Sequence, residues 1–140
     1  MATLHLEIVT PESRAYSDDV DMVVLPGTEG EMGILPMHVP LMTQITPGEL
    51  IVTKGHETLY LAVGEGFVEV TQEHVNVLTD MAIEEKQIDE AAAEAAVKRA
   101  EEALAHREHG GEEAAAVQAA LAKSLAQLRV KRRRHGGATR

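Results

Sequence analysis

A change of period near Met81 limits this chain's fold more than any other feature of its sequence. Before it, apolar residues recur at every second position in short runs: Leu4, Leu6 and Ile8; Leu50 and Val52; Leu59, Leu61 and Val63; Phe67, Val68 and Val70; Val75, Val77 and Leu78. A further run, Met22 to Leu25, is apolar throughout. Turn-forming pairs separate the runs: Thr10-Pro11, Pro26-Gly27, Pro47-Gly48, Lys54-Gly55 and Gly64-Glu65-Gly66. Strands this short with turns this regular predict a β-sandwich or small barrel. After Met81 the chain turns to alanine, glutamate, lysine and arginine, all good helix formers. Ile88-Asp89 opens a first helix with an acid at its positive end. His109-Gly110-Gly111 breaks it, and Glu112-Glu113 starts a second. Val117, Leu121, Leu125 and Leu128 then form one apolar stripe, facing Ile88, Val97 and Leu104 across a seam filled by alanine. The expected fold is an N-terminal antiparallel β-sandwich of about ten short strands, followed by an antiparallel two-helix hairpin. The sandwich is assigned to residues 1–84, and the hairpin with its basic tail to residues 85–140.

Composition narrows the chemistry. Aromatic residues are only 2% of the chain (Tyr16, Tyr60 and Phe67), so the core is aliphatic and methionine-based. The absence of cysteine excludes disulfides, thiolate zinc sites and cysteine nucleophiles. Met1 to Val9 alternates polar and apolar residues rather than forming a signal peptide, and no run approaches the roughly 20 apolar residues of a membrane span, so a soluble intracellular protein is expected.

The net charge of -10 is unevenly spread. Up to Asp80 the only cations are Arg14 and Lys54, which argues against nucleic acid as a partner of that half. The C-terminal end reverses the sign, with Arg129, Lys131, Arg132, Arg133, Arg134 and Arg140 and no acid among them. A solvated terminus fits such a run, as does binding to nucleic acid or a membrane surface, although no aromatic residue is interleaved with the cations.

No catalytic constellation emerges. Ser13, Ser17 and Ser124 lack a nucleophile elbow, and GTEGEMG lacks the lysine of a phosphate loop. Asp18-Asp19 and Glu84-Glu85 read as solvated acids, and the histidines have no zinc-site spacing. The chain is expected to be neither an enzyme by itself nor a metal protein.

The stretch EGEMGILPMHVPLMT, Glu29 to Thr43, concentrates backbone constraint. Pro26 and Gly27 are expected to stop a strand, Gly30 and Gly33 to allow positive φ, and Pro36 and Pro40 to fix the chain around Met37-His38-Val39. A stiff exposed loop costs little to order on binding. His38, between two prolines, reads as a structural or docking group.

GTEGEMGILPMHVPL, YLAVGEGFVEV ahead of VNVLTDMA, and AALAKSLAQLRV occur here in an order that resembles the epsilon subunit of bacterial F-type ATP synthases, over about Leu4 to Val130. The resemblance implies a central-stalk rotor subunit of a proton-translocating enzyme, coupling rotation of the c-ring to ATP synthesis. Its partners would be the gamma subunit, the c-ring and the alpha/beta hexamer, with no nucleic acid. Its place would be the cytoplasmic face of the bacterial plasma membrane, held there by other subunits. Glu29, Glu31, Met37 and His38 would belong to the docking loop for the c-ring and gamma, with Met37 standing where the family's GILPGH has glycine. Arg129 and the run Lys131, Arg132, Arg133 and Arg134 would reach acidic segments of the beta subunits and inhibit ATP hydrolysis. No cofactor is required. ATP is a weak regulatory ligand on this reading, through Asp89 and Arg99, because Ala92 replaces the arginine of the family's nucleotide motif. For Asp89, simple capping of the helix is the plainer role. The rival reading is a non-enzymatic sandwich adaptor whose basic helical tail binds anionic partners.

Overall fold

The computed structural model describes residues 2–106 and 111–137, with side chains given as far as Arg133. Ten strands come first: β1 (Leu4–Val9), β2 (Arg14–Val20), β3 (Met22–Gly27), β4 (Gly30–Ile34), β5 (Leu41–Ile45), β6 (Gly48–Lys54), β7 (Glu57–Val63), β8 (Gly66–Val70), β9 (His74–Thr79) and β10 (Ala82–Glu84). A short 3-10 helix (Glu85–Gln87) leads to α1 (Glu90–His106) and α2 (Gly111–Gly137). The expected break at His109 and Gly110 lies outside the described residues.

The strands hydrogen-bond in the order β10-β7-β6-β3-β5-β8-β9-β1-β2, with β4 joined to β3. Gly27 and Ile45 are the single ladder pair between β3 and β5, extended by the Thr46 amide donating to the Pro26 carbonyl at 2.8 Å, so the two halves of this path fold over one another as a sandwich. Alternation then decides what is inside. Leu4, Leu6 and Ile8 of β1 meet Leu50 and Val52, Leu61 and Val63, Val68 and Val70, and Val75 and Val77 in one buried aliphatic core. Sandwich and hairpin follow one another as expected, and all but one of the pairings are antiparallel. The exception is β1 with β9, which run parallel, from His5 beside His74 to Val9 beside Leu78. Parallel neighbours need a long crossover, and here the whole of β2 to β8 supplies it.

β3 does end at Gly27, with Pro26 buried as its penultimate residue opposite Glu31 of β4. Several local expectations are corrected. The loop is largely a β3–β4 hairpin, a tight turn and β5. Gly30 uses positive φ, whereas Gly33 pairs with Val24 inside β4 and does not. Phe67 and Leu78 face outward, because Val68, Val70, Val75 and Val77 occupy the inward positions of β8 and β9.

The second helix also differs from its one-stripe reading. Ala126 and Val130, one turn apart, are buried, and Val130 packs with Ala62 and Ile88, flanked by Tyr60, Met81 and Ile83. Leu128 is buried too, about 200° round the helix from Val130. Arg132, one turn beyond Leu128, reaches Glu90 and Glu94, so that side faces α1. α2 is thus a middle layer between α1 and the β6–β7 surface, and Leu125, at the margin of the α1 side, is exposed. Ile88 precedes α1 and belongs to the seam with the sandwich.

Candidate docking faces and hairpin

Glu29 is exposed in the tight turn of the β3–β4 hairpin, and Glu31 is exposed on β4 beside Pro26. Beyond β4 the chain makes a turn over Leu35-Pro36-Met37-His38, closed by the His38 amide donating to the Leu35 carbonyl at 3.2 Å. Met37 sits at φ +69. Pro at the second position and a left-handed residue at the third make this a type II turn, a geometry that favours glycine at the Met37 position. The turn is therefore kept with methionine at a cost of about 1 kcal/mol, held partly by the Met37 amide donating to the Gln72 carbonyl at 3.0 Å. The His38 Nδ1–H donates to the Val39 carbonyl at 2.7 Å, a structural role.

This turn opens an apolar surface that the sequence reading did not assign. Leu35, Met37 and Val39 are exposed, as is Met42 on β5. Phe67 (52% exposed) and Leu78 (56%) stand opposite each other on β8 and β9, with Gln44 beside Phe67 and Met42 diagonal to it. The signal was present in the sequence: Glu69, two residues from Phe67, marks that face of β8 as the outward one.

A cavity of about 260 Å³ lies between β3–β4, β6 and α2, lined by Glu31, Glu49, Val130, Arg129 and Arg133 among others. Residues read separately as docking and regulatory thus face one space. Three cations of the basic run are engaged within the chain. Lys131 Nζ lies 3.5 Å from the Glu85 carboxylate and donates to the Glu85 carbonyl at 3.1 Å. Arg132 bonds Glu90 and Glu94, and Arg133 bonds Glu49 at 3.3 Å. Lys123 approaches Asp80 at 3.8 Å. Arg129 makes no ion pair among the described residues; the Arg134 side chain and Arg140 lie outside them.

Asp89 caps α1, its Oδ1 accepting from the Ala92 amide at 3.0 Å. Arg99 is exposed ten positions along, about 15 Å further up the helix axis. The structure does not bring these two together. Elsewhere, Lys54 of β6 pairs with Asp18 of β2. That hydrogen bond holds the Asp18 carboxyl below its ordinary pKa and Lys54 above its own. Burial, and then the Asp18 charge, push Tyr16 up. Among the described residues no cluster of histidine and carboxylate groups could hold a metal ion, and no helix is long and apolar enough to cross a membrane.

Residues 3–85 match the family described as ATP synthase, Delta/Epsilon chain, beta-sandwich domain, and residues 86–132 match its long alpha-helix domain. The chain belongs to the ATP synthase delta/epsilon family. This family member is 47% identical over 137 residues to the ATP synthase epsilon chain of a Dehalococcoides mccartyi strain, covering 96% of this chain and 98% of that one. It is 45% identical over 129 residues to the epsilon chain of Alkalilimnicola ehrlichii, covering 91% of each. Its fold matches a chain of the Euglena gracilis mitochondrial ATP synthase at a TM-score of 0.71 and 22% identity, over 87% of this chain and 77% of the other. With an ATP synthase subunit family established, the reading as a free-standing adaptor falls away.

Proposed function

We propose that this epsilon-family chain is a non-catalytic subunit of the central stalk, peripheral to the cytoplasmic face of the membrane, with separate docking and regulatory parts. The sandwich binds the gamma subunit through the exposed apolar surface around Met42, Phe67 and Leu78. It meets the c-ring through the Glu29–Glu31 end and the Met37–His38 turn, and so transmits ring rotation to the catalytic head. The helical hairpin regulates. Folded on the sandwich it is silent; extended into the alpha/beta hexamer, it sets Arg129 and the Lys131 to Arg134 run against acidic segments and hinders hydrolysis.

One observation carries this reading. The sandwich closes its own core, while the hairpin is fastened to it by a small separate apolar cluster of Ala62, Ile88 and Val130. A part so attached can leave without unfolding the rest. ATP hydrolysis by the reconstituted catalytic head tests it, with full-length protein set against a version ending at Glu85. Inhibition by the full chain that is lost on truncation supports the reading; equal rates with both would overturn it and leave the sandwich as a coupling module.

A further inference from the structure

The cations at the end of α2 bind acids from three other parts of the fold. Lys131 reaches Glu85 of the 3-10 helix, Arg132 reaches Glu90 and Glu94 of α1, and Arg133 reaches Glu49 of β6. These contacts span up to 84 residues of sequence and converge on one helical end. From them we infer that Lys131, Arg132 and Arg133 are the latch of the closed hairpin, so that the acids which hold them compete with any other anionic surface until it opens.

The geometry separates this from ordinary surface pairing. Isolated exposed pairs contribute little, and Arg132 with Glu94 is of that kind at 53% and 65% exposure. Lys131 and Glu85 are different, at 16% and 19%, with a second bond from Lys131 to the Glu85 carbonyl. Glu49 is only 9% exposed under Arg133. The two better shielded contacts flank the apolar cluster around Val130, where screening by salt is weaker than at an open surface. Because the cluster itself is small, the pairs weigh heavily in the closed state. Closing the latch and presenting these charges to a partner are mutually exclusive uses of the same side chains. The latch thus supplies a regulation for the inhibitory reading, and rests on that reading only for its consequence in the enzyme.

The test uses the full chain alone, with spin labels at exposed Glu73 and Gln118 and the closed fraction read from their distance distribution. Raising salt from about 50 to about 500 mM should lower the closed-to-open ratio only about twofold, through the open Arg132 pairs, because the shielded contacts are screened less. Neutralising the acids, with Glu49→Gln, Glu85→Gln, Glu90→Gln and Glu94→Gln together, should lower it about tenfold while leaving every cation in place. Lys131→Glu alone should open the hairpin, and Lys131→Glu with Glu85→Lys should close it again. A closed fraction indifferent to salt and to the acid substitutions, or unrecovered in the swapped pair, would overturn the latch. No catalytic head is present, so these results are independent of whether the hairpin inhibits. In the hydrolysis assay the acid-neutralised chain should inhibit more strongly than the natural one. If it opens and yet inhibits no more, the latch stands and the inhibitory reading fails.

Discussion

Replacing Val130 by alanine should open the hairpin and spare the sandwich. Val130 is 2% exposed and packs against Ala62 and Ile88, apart from the sandwich core. The substitution removes two buried carbons, at about 0.8 kcal/mol each, for about 1.6 kcal/mol before any cavity contribution. That corresponds to a fall of about 15-fold in the ratio of closed to open hairpin. Label distances between sandwich and α2 would report the shift, and thermal unfolding would report the sandwich. The expected result is a hairpin opened by about that factor with the sandwich transition unmoved. If the sandwich instead lost the same 1.6 kcal/mol, the two parts would unfold as one unit, and the account of a detachable hairpin would be refuted.

Other outcomes follow from single contacts. Met37→Gly should raise stability by up to about 1 kcal/mol, seen as a higher midpoint of denaturant unfolding, because the left-handed position at φ +69 then carries no Cβ. Phe67→Asp should leave the fold intact, as the residue is exposed, yet abolish co-purification with the gamma subunit; retained binding would move the docking face elsewhere. Lys54→Met should raise the Asp18 titration midpoint, followed by carboxyl-carbon NMR, since the lysine holds that carboxyl low. The sign of the linkage is fixed by the two shifts. Asp18's share of stability is present above the ordinary carboxylate pKa and is lost as pH falls through its lowered value; that of Lys54 is present below the ordinary lysine pKa and is lost as pH rises through its raised value.

Period-two alternation made the sandwich legible, because a strand buried on one face must repeat its apolar residues that way, as Leu4, Leu6 and Ile8 do. The same rule, applied to Glu69 and Val70, turns Phe67 outward; counting apolar residues without their parity hides this exposed apolar face. On α2 the sandwich-facing side escaped notice because Ala126 carries little apolar signal, while the leucines drew attention to the α1 side. The latch had no local signature at all. Glu49 and Arg133 are 84 positions apart, and only the folded chain reveals that a tail read as waiting for a partner already has one.

Fixing the hairpin in place tests the central claim most directly. The chain has no cysteine of its own, so cysteines replacing Asp80 and Lys123, which meet at 3.8 Å, can be joined by a short reductant-cleavable bridge while leaving Arg129 to Arg134 intact. The quantity to measure is ATP hydrolysis by the reconstituted enzyme, bridged and then reduced. The account predicts free hydrolysis with the hairpin bridged shut and inhibition once the bridge is cut. Equal inhibition in both states would contradict it, because the basic run would then act without leaving the sandwich.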